Sequence, residues 1–146
     1  MDEIAIILAD TVDAALPGWV ARSVERVLAE QGRRFDDALR AEAGVAGQRA
    51  LDDVGPRLRA LLAADIDEQR STPLTLLRDA ARYPTEVLRS AGAAPVERDE
   101  FDRSAFPDDD YGLAPATFAD IDPVLIEPAL AWGAAKAFEH KARHKS

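Results

Sequence analysis

The sequence predicts an all-α fold: a helical bundle with a long, structured, acidic and proline-rich strap ahead of its C-terminal helix. Three observations predict it. Apolar residues recur at steps of three and four through most of the chain, the period of a helix with one buried face. No tight-turn dipeptide joins two alternating runs, so no hairpin is signalled. Ser71-Thr72-Pro73 and Asp122-Pro123 place a capping side chain just before a proline, which is how helices begin. The chain has 146 residues, 47% of them hydrophobic and 31% charged. That is globular composition, with length for one domain and a real core. The expected organisation is a single domain over residues 1–146: a helical body (1–92), the strap (93–121) and a C-terminal helix (122–144).

The first helix is carried by Ile4, Ile7, Leu8, Thr11, Val12, Ala15 and Leu16, whose helical phase outweighs the β-like look of residues 4–8. Pro17-Gly18 reads as its end. A second helix is expected over residues 18–43, striped by Val20, Val24, Val27, Leu28, Phe35, Ala38 and Leu39, with a break at Gly32 as the alternative and Gly44 as the stop. Leu51, Val54, Leu58, Leu61, Leu62 and Ile66 mark a third helix that kinks or starts at Gly55-Pro56. After the restart at Pro73, the residues Leu74, Leu77, Ala81, Leu88 and Ala91 face inward, with a joint at Tyr83-Pro84 and a stop at Gly92. The last helix starts at Pro123, with an early kink at Pro128. Its Ala129, Gly133 and Ala137, four apart, together with Leu130, Ala134 and Phe138, are expected to pack closely inside the bundle.

The formal charge of −9 is uneven. Residues 17–92 balance twelve acids with twelve bases, residues 93–128 carry ten acids against Arg98 and Arg103, and residues 129–146 are net basic. Five of the nine prolines also fall within 93–128, marking a change of organisation near Gly92. Phe101, Phe106, Tyr111, Leu113 and Phe118 argue that this segment is folded down, because disordered chains are poor in aromatics. Each buried ring contributes about 1.5–3 kcal/mol against the cost of ordering the loop.

Several chemistries are disfavoured. The chain has no cysteine, which removes disulfides, thiolate metal sites and a cysteine nucleophile. Net negative charge disfavours nucleic acid or an anionic membrane as partner. The longest strongly apolar run, residues 4–9, is shorter than a membrane span, and the acidic Met1-Asp2-Glu3 start is unlike a signal peptide; a cytoplasmic location is expected. Asp108, Asp109 and Asp110 lack calcium-loop spacing, since Leu113 and Ala119 stand where a glycine and a glutamate are needed. His140 and His144 share a helix face, yet among Lys141, Arg143 and Lys145 they read as C-terminal cations rather than metal ligands. Ser23, Ser71, Ser90 and Ser104 lack the glycines of a nucleophile elbow, and Gly44 and Gly47 precede no lysine-hydroxyl pair of a phosphate loop. A carboxylate-based hydrolase is kept as an alternative. So is a helix-turn-helix over residues 39–62, against which Asp52 and Asp53 would repel phosphate. No cofactor and no metal is predicted.

Arg82-Tyr83-Pro84-Thr85-Glu86-Val87-Leu88-Arg89, Arg98-Asp99-Glu100-Phe101, Phe106-Pro107-Asp108-Asp109, Ile121-Asp122-Pro123 and Trp132-Gly133-Ala134-Ala135-Lys136 together resemble a small family of uncharacterised actinobacterial proteins. The resemblance spans residues 72–138 and implies no activity and no site residues. Fifteen arginines against three lysines suit the GC-rich genomes of that group.

The reading that follows is a non-enzymatic interaction or regulatory module. Its expected contact surface is the strap: Asp99, Glu100, Asp102, Asp108, Asp109 and Asp110 supply the field, and Phe106 and Tyr111 the anchors. The expected partner is a basic protein, or the chain's own basic tail in a self-association.

Overall fold

The computed structural model describes residues 3–64 and 73–144, and within them all side chains except those of residues 139, 140 and 142–144. Among the described residues the fold is all-helical, with no strand. Helix α1 (Glu3–Glu30) is the central element, contacted by α2 (Asp37–Ala63), α4 (Arg82–Ser90) and α7 (Ile126–His144). A short α3 (Pro73–Arg78) and a 3-10 turn (Asp79–Ala81) lead into α4; α5 (Glu100–Ala105) and α6 (Phe118–Ile121) lie in the strap; a 3-10 turn (Pro123–Leu125) precedes α7.

Helix α1 does not end at Pro17. Leu8, Val12, Leu16, Trp19, Val20, Val24 and Val27 form one continuous buried stripe across that residue. Burying it outweighs the roughly 3 kcal/mol that proline costs inside a helix. The helix stops at Gly32 instead. Gly32 sits at φ +66°, and Arg33 N–H donates to Leu28 O at 2.8 Å, closing the left-handed cap that favours glycine. Gly92 (φ +74°) ends α4 in the same way, with Ala93 N–H donating to Leu88 O.

Asp36 caps α2 by accepting from Leu39 N–H at 2.9 Å. From there α2 runs unbroken through Gly44 and through Gly55-Pro56, so neither of those sites is the stop or start expected from the sequence. Its buried face is small: Ala43, Ala46, Gly47, Ala50, Val54, Gly55 and Leu58. The Ala/Gly run that resembles a turn is a close helix crossing. A Cβ on Gly47 would stand 2.9 Å from Pro17 O, in the backbone of α1. Arg59 reaches both Asp10 and Asp13 at 2.7 and 2.8 Å, which fixes α1 and α2 antiparallel.

Helix α4 lies along both long helices. Tyr83 O–H donates to Asp53 at 2.7 Å, Arg57 pairs with Asp79 at 2.7 Å, and Arg49 approaches Glu86. The joint before α4 is the 3-10 turn, and Pro84 lies in the first turn of α4. Leu77, Ala81 and Leu88 are buried as expected, Leu74 and Ala91 only partly. Ile66 and the Ser71-Thr72 cap lie outside the described residues.

Asp122 caps the last helical stretch by accepting from Val124 N–H, with Pro123 in its first turn. Helix α7 does not bury the small-residue strip. Ala129 and Trp132 pack on the core, whereas Gly133, Ala134 and Ala137 are exposed and Leu130 and Phe138 are 69% and 74% exposed. The imidazoles of His140 and His144 lie outside the described side chains. Helix α1 is long and apolar enough by length and composition to cross a membrane, which the short run at residues 4–9 does not reveal; in this fold its apolar stripe is the core.

Candidate functional site

The strap leaves α4 at Ala93 and is tied to the body on either side of α5. Gln31 at the end of α1 grips Ala94 with both ends of its amide: Nε2 donates to Ala94 O at 2.7 Å, and Oε1 accepts from Ala94 N–H at 3.0 Å. Val96 N–H donates to Asp110 O at 3.0 Å, closing the strap on itself. Arg78 donates to Pro115 O at 3.1 Å, and Arg89 donates to Asp108 O at 3.2 Å. Tyr111 and Leu113 are buried in the main core. Much of the cationic surface that faces the strap therefore belongs to α3 and α4 of the same chain.

The predicted surface residues divide into two groups. Asp109 accepts from Leu113 N–H at 2.7 Å with one oxygen and from Ala114 N–H at 2.9 Å with the other. Asp110 accepts from Arg89 Nε at 2.7 Å, and that bond, more than the neighbouring positive field, holds its carboxyl below the usual range. The same contact raises the Arg89 guanidinium. These two carboxylates organise the turn. Tyr111 is not the exposed anchor expected from the sequence: the residue is 4% exposed, its hydroxyl donates to Ala93 O at 2.9 Å, and burial pushes its phenol up. Phe106 is half-buried beneath the Arg78 guanidinium, 5.5 Å from the ring centre.

The outward group sits on and beside α5. Asp99 caps that helix by accepting from Asp102 N–H at 2.7 Å. Glu100 is exposed, Asp102 is half-buried, and Asp108 lies on the surface beyond. Between Glu100 and Asp102 stands Phe101, 74% exposed. From the sequence this ring belongs with those expected to fold down and lies outside the expected contact surface. Its only signal was its place among Glu97, Asp99, Glu100 and Asp102.

A cleft of about 540 Å³ lies between the strap and the α3–α4 segment, lined among others by Arg57, Arg78, Arg82, Asp79, Asp108 and Asp109. Its charged groups are mostly engaged. Arg57 holds Asp53 and Asp79, Arg78 holds Pro115 O, and Arg82 lies over the Tyr83 ring. Asp79 is taken by Arg57 and Asp109 by two amides. Among the described residues lining this cleft, Asp79 and Asp109 are thus both engaged and do not form a free pair of carboxylates. The uninterrupted α2 also removes the glycine turn on which the helix-turn-helix alternative rested. Among the described residues, no group of three or more histidine, aspartate or glutamate side chains is gathered to hold a metal.

Away from the strap, Asp53 and Tyr83 form another perturbed pair. The Tyr83 hydroxyl holds the Asp53 carboxyl below its ordinary value, and burial, then the bond to Asp53, pushes the Tyr83 phenol up. The pair joins α2 to α4 and has a structural role.

No protein-family model, curated protein or solved structure matches this chain. That agrees with a resemblance that carries no activity with it.

Proposed function

We propose that this protein is a non-enzymatic interaction module whose α5 face meets a basic partner. The observation that carries the reading is Phe101, an exposed aromatic ring set among Glu97, Asp99, Glu100 and Asp102. A ring held in water gives up favourable burial, and a partner with an apolar socket recovers it. The surrounding carboxylates supply long-range attraction for cations and repel acidic competitors. A central aromatic with a charged rim is the usual anatomy of a binding hot spot. The ties at Ala94, Val96 and Asp108 hold both ends of the segment that carries α5, and a segment anchored at its ends loses less entropy on association than a free one.

The test is quantitative capture from a lysate of the source organism, comparing wild type with Phe101→Ala and with Glu97→Lys/Glu100→Lys. These side chains are exposed, so circular dichroism should be unchanged. The proposal expects a common set of basic proteins, held by wild type, released by raised salt and lost from both variants. Capture of the same proteins by all three would overturn it.

A further inference from the structure

We infer that the outer face of α7 pairs with the same face of a second copy of this chain, the two helices running antiparallel about a two-fold axis at Ala134. The surface lies apart from the α5 face and does not depend on it.

Helix α7 is seated on the body through Ala129 and Trp132. At roughly 100° per residue, the direction opposite Trp132 is that of Ala134. Within about 60° of Ala134 on the helix wheel, the residues between 130 and 138 are Leu130, Ala131, Ala134, Ala137 and Phe138. All five are exposed, the leucine at 69% and the phenylalanine at 74%, and none is charged. Surface helices ordinarily turn their polar side outward. Here the outward side between residues 130 and 138 is apolar, the pattern of a face that is itself covered.

The order of residues names what covers it. Leu130 and Phe138 stand four positions before and after Ala134; Glu127 and Lys141 stand seven before and after. Glu127 and Lys141 are also exposed, and both fall within about 20° of the Ala134 direction. Antiparallel pairing centred on Ala134 lays Leu130 against Phe138 of the second copy and Glu127 against Lys141 of the second copy, and the two-fold axis repeats both contacts. Parallel pairing would set Glu127 against Glu127 and Lys141 against Lys141, so charge selects the antiparallel arrangement. Alanine at the axis, flanked by Ala137 and by Gly133 with open space around it, lets the backbones approach closely. Each copy contributes the same patch, so the pairing closes as a dimer and uses up the α7 face.

Sedimentation equilibrium of the full chain across a dilution series tests this. The expected result is a dimer of twice the 15.8 kDa chain mass that dissociates on dilution. Leu130→Asp and Phe138→Asp should each weaken association by at least about tenfold. Glu127→Lys and Lys141→Glu should each weaken it, and the double variant should restore it, because exchanging both charges recreates the pairing only in the antiparallel arrangement. Glu97→Lys/Glu100→Lys should leave the dimer intact, which separates it from an association of the basic tail with the acidic strap. Since the chain has no cysteine, Ala134→Cys supplies a unique thiol. A short bis-thiol reagent should then cross-link two chains through Ala134→Cys but not through Ala116→Cys on the exposed strap. A wild type that stays monomeric throughout overturns the inference. So does a dimer indifferent to Leu130→Asp, or a double charge exchange that fails to restore what the single exchanges lose.

Discussion

Placing a methyl group on Gly47 forces the two longest helices apart. The new Cβ would lie 2.9 Å from Pro17 O and 3.0 Å from Pro17 Cα. Carbon atoms in comfortable contact are about 3.5–4.0 Å apart. Both obstacles are backbone atoms, so no side chain can rotate away; α1 and α2 must separate by roughly 0.5 Å at their crossing. Overpacking of this kind costs about 1–3 kcal/mol. Alanine also returns about 1 kcal/mol of helix propensity, leaving a net loss of about 0–2 kcal/mol. Gly44 is the internal control. It lies one turn earlier in α2, is exposed, and has nothing within 4 Å of its virtual Cβ. There the same substitution should stabilise by up to about 1 kcal/mol. The gap between the two variants, about 1–3 kcal/mol, isolates the steric contribution because propensity cancels. Urea titrations followed by circular dichroism at equal denaturant slope should rank Gly44→Ala above wild type and Gly47→Ala lowest. If Gly47→Ala unfolds at the same midpoint as Gly44→Ala, the helices do not need glycine to meet, and the close-crossing account of α2 is wrong.

Stability should fall in acid through Asp53 and Asp110. Both carboxyls are depressed in the folded state, Asp53 by the Tyr83 hydroxyl and Asp110 by Arg89. Their contribution is therefore full above the unfolded value near 3.9 and lost as pH falls through the folded values. Urea midpoints measured through that window should decline less steeply for Asp53→Asn/Asp110→Asn than for wild type, and equal slopes would count against both pairings. Tyr111→Phe removes the donor to Ala93 O while keeping the buried ring. It should cost about 1–2 kcal/mol in the same titration and leave partner capture unaltered; loss of capture without loss of stability would return Tyr111 to the contact surface.

The sequence by itself determined that the chain is helical, that Gly92 ends a helix and that Asp122-Pro123 starts one. It also placed the rings of Phe106 and Tyr111 in a strap that folds back. These are local matters: a period of 3.6, a left-handed cap, a proline after a capping carboxylate. Tertiary structure alone decided the rest. Pro17 lies inside a helix because a continuous core stripe outweighs one lost hydrogen bond, and of the two readings open at Gly32 the fold takes the break, in a left-handed cap. Gly44 and Gly47 read alike in a sequence, but only Gly47 meets another backbone. Asp99, Asp109 and Asp110 also read alike, yet one caps a helix, one fills a turn and one pairs with Arg89. Phe101 and Tyr111 also read alike, yet one ring stands in water and the other enters the core. Periodicity gives the relative phase of side chains along one helix. Which phase meets the core and which meets water depends on neighbours distant in sequence, which is why α7 buries Trp132 and leaves Leu130 and Phe138 exposed.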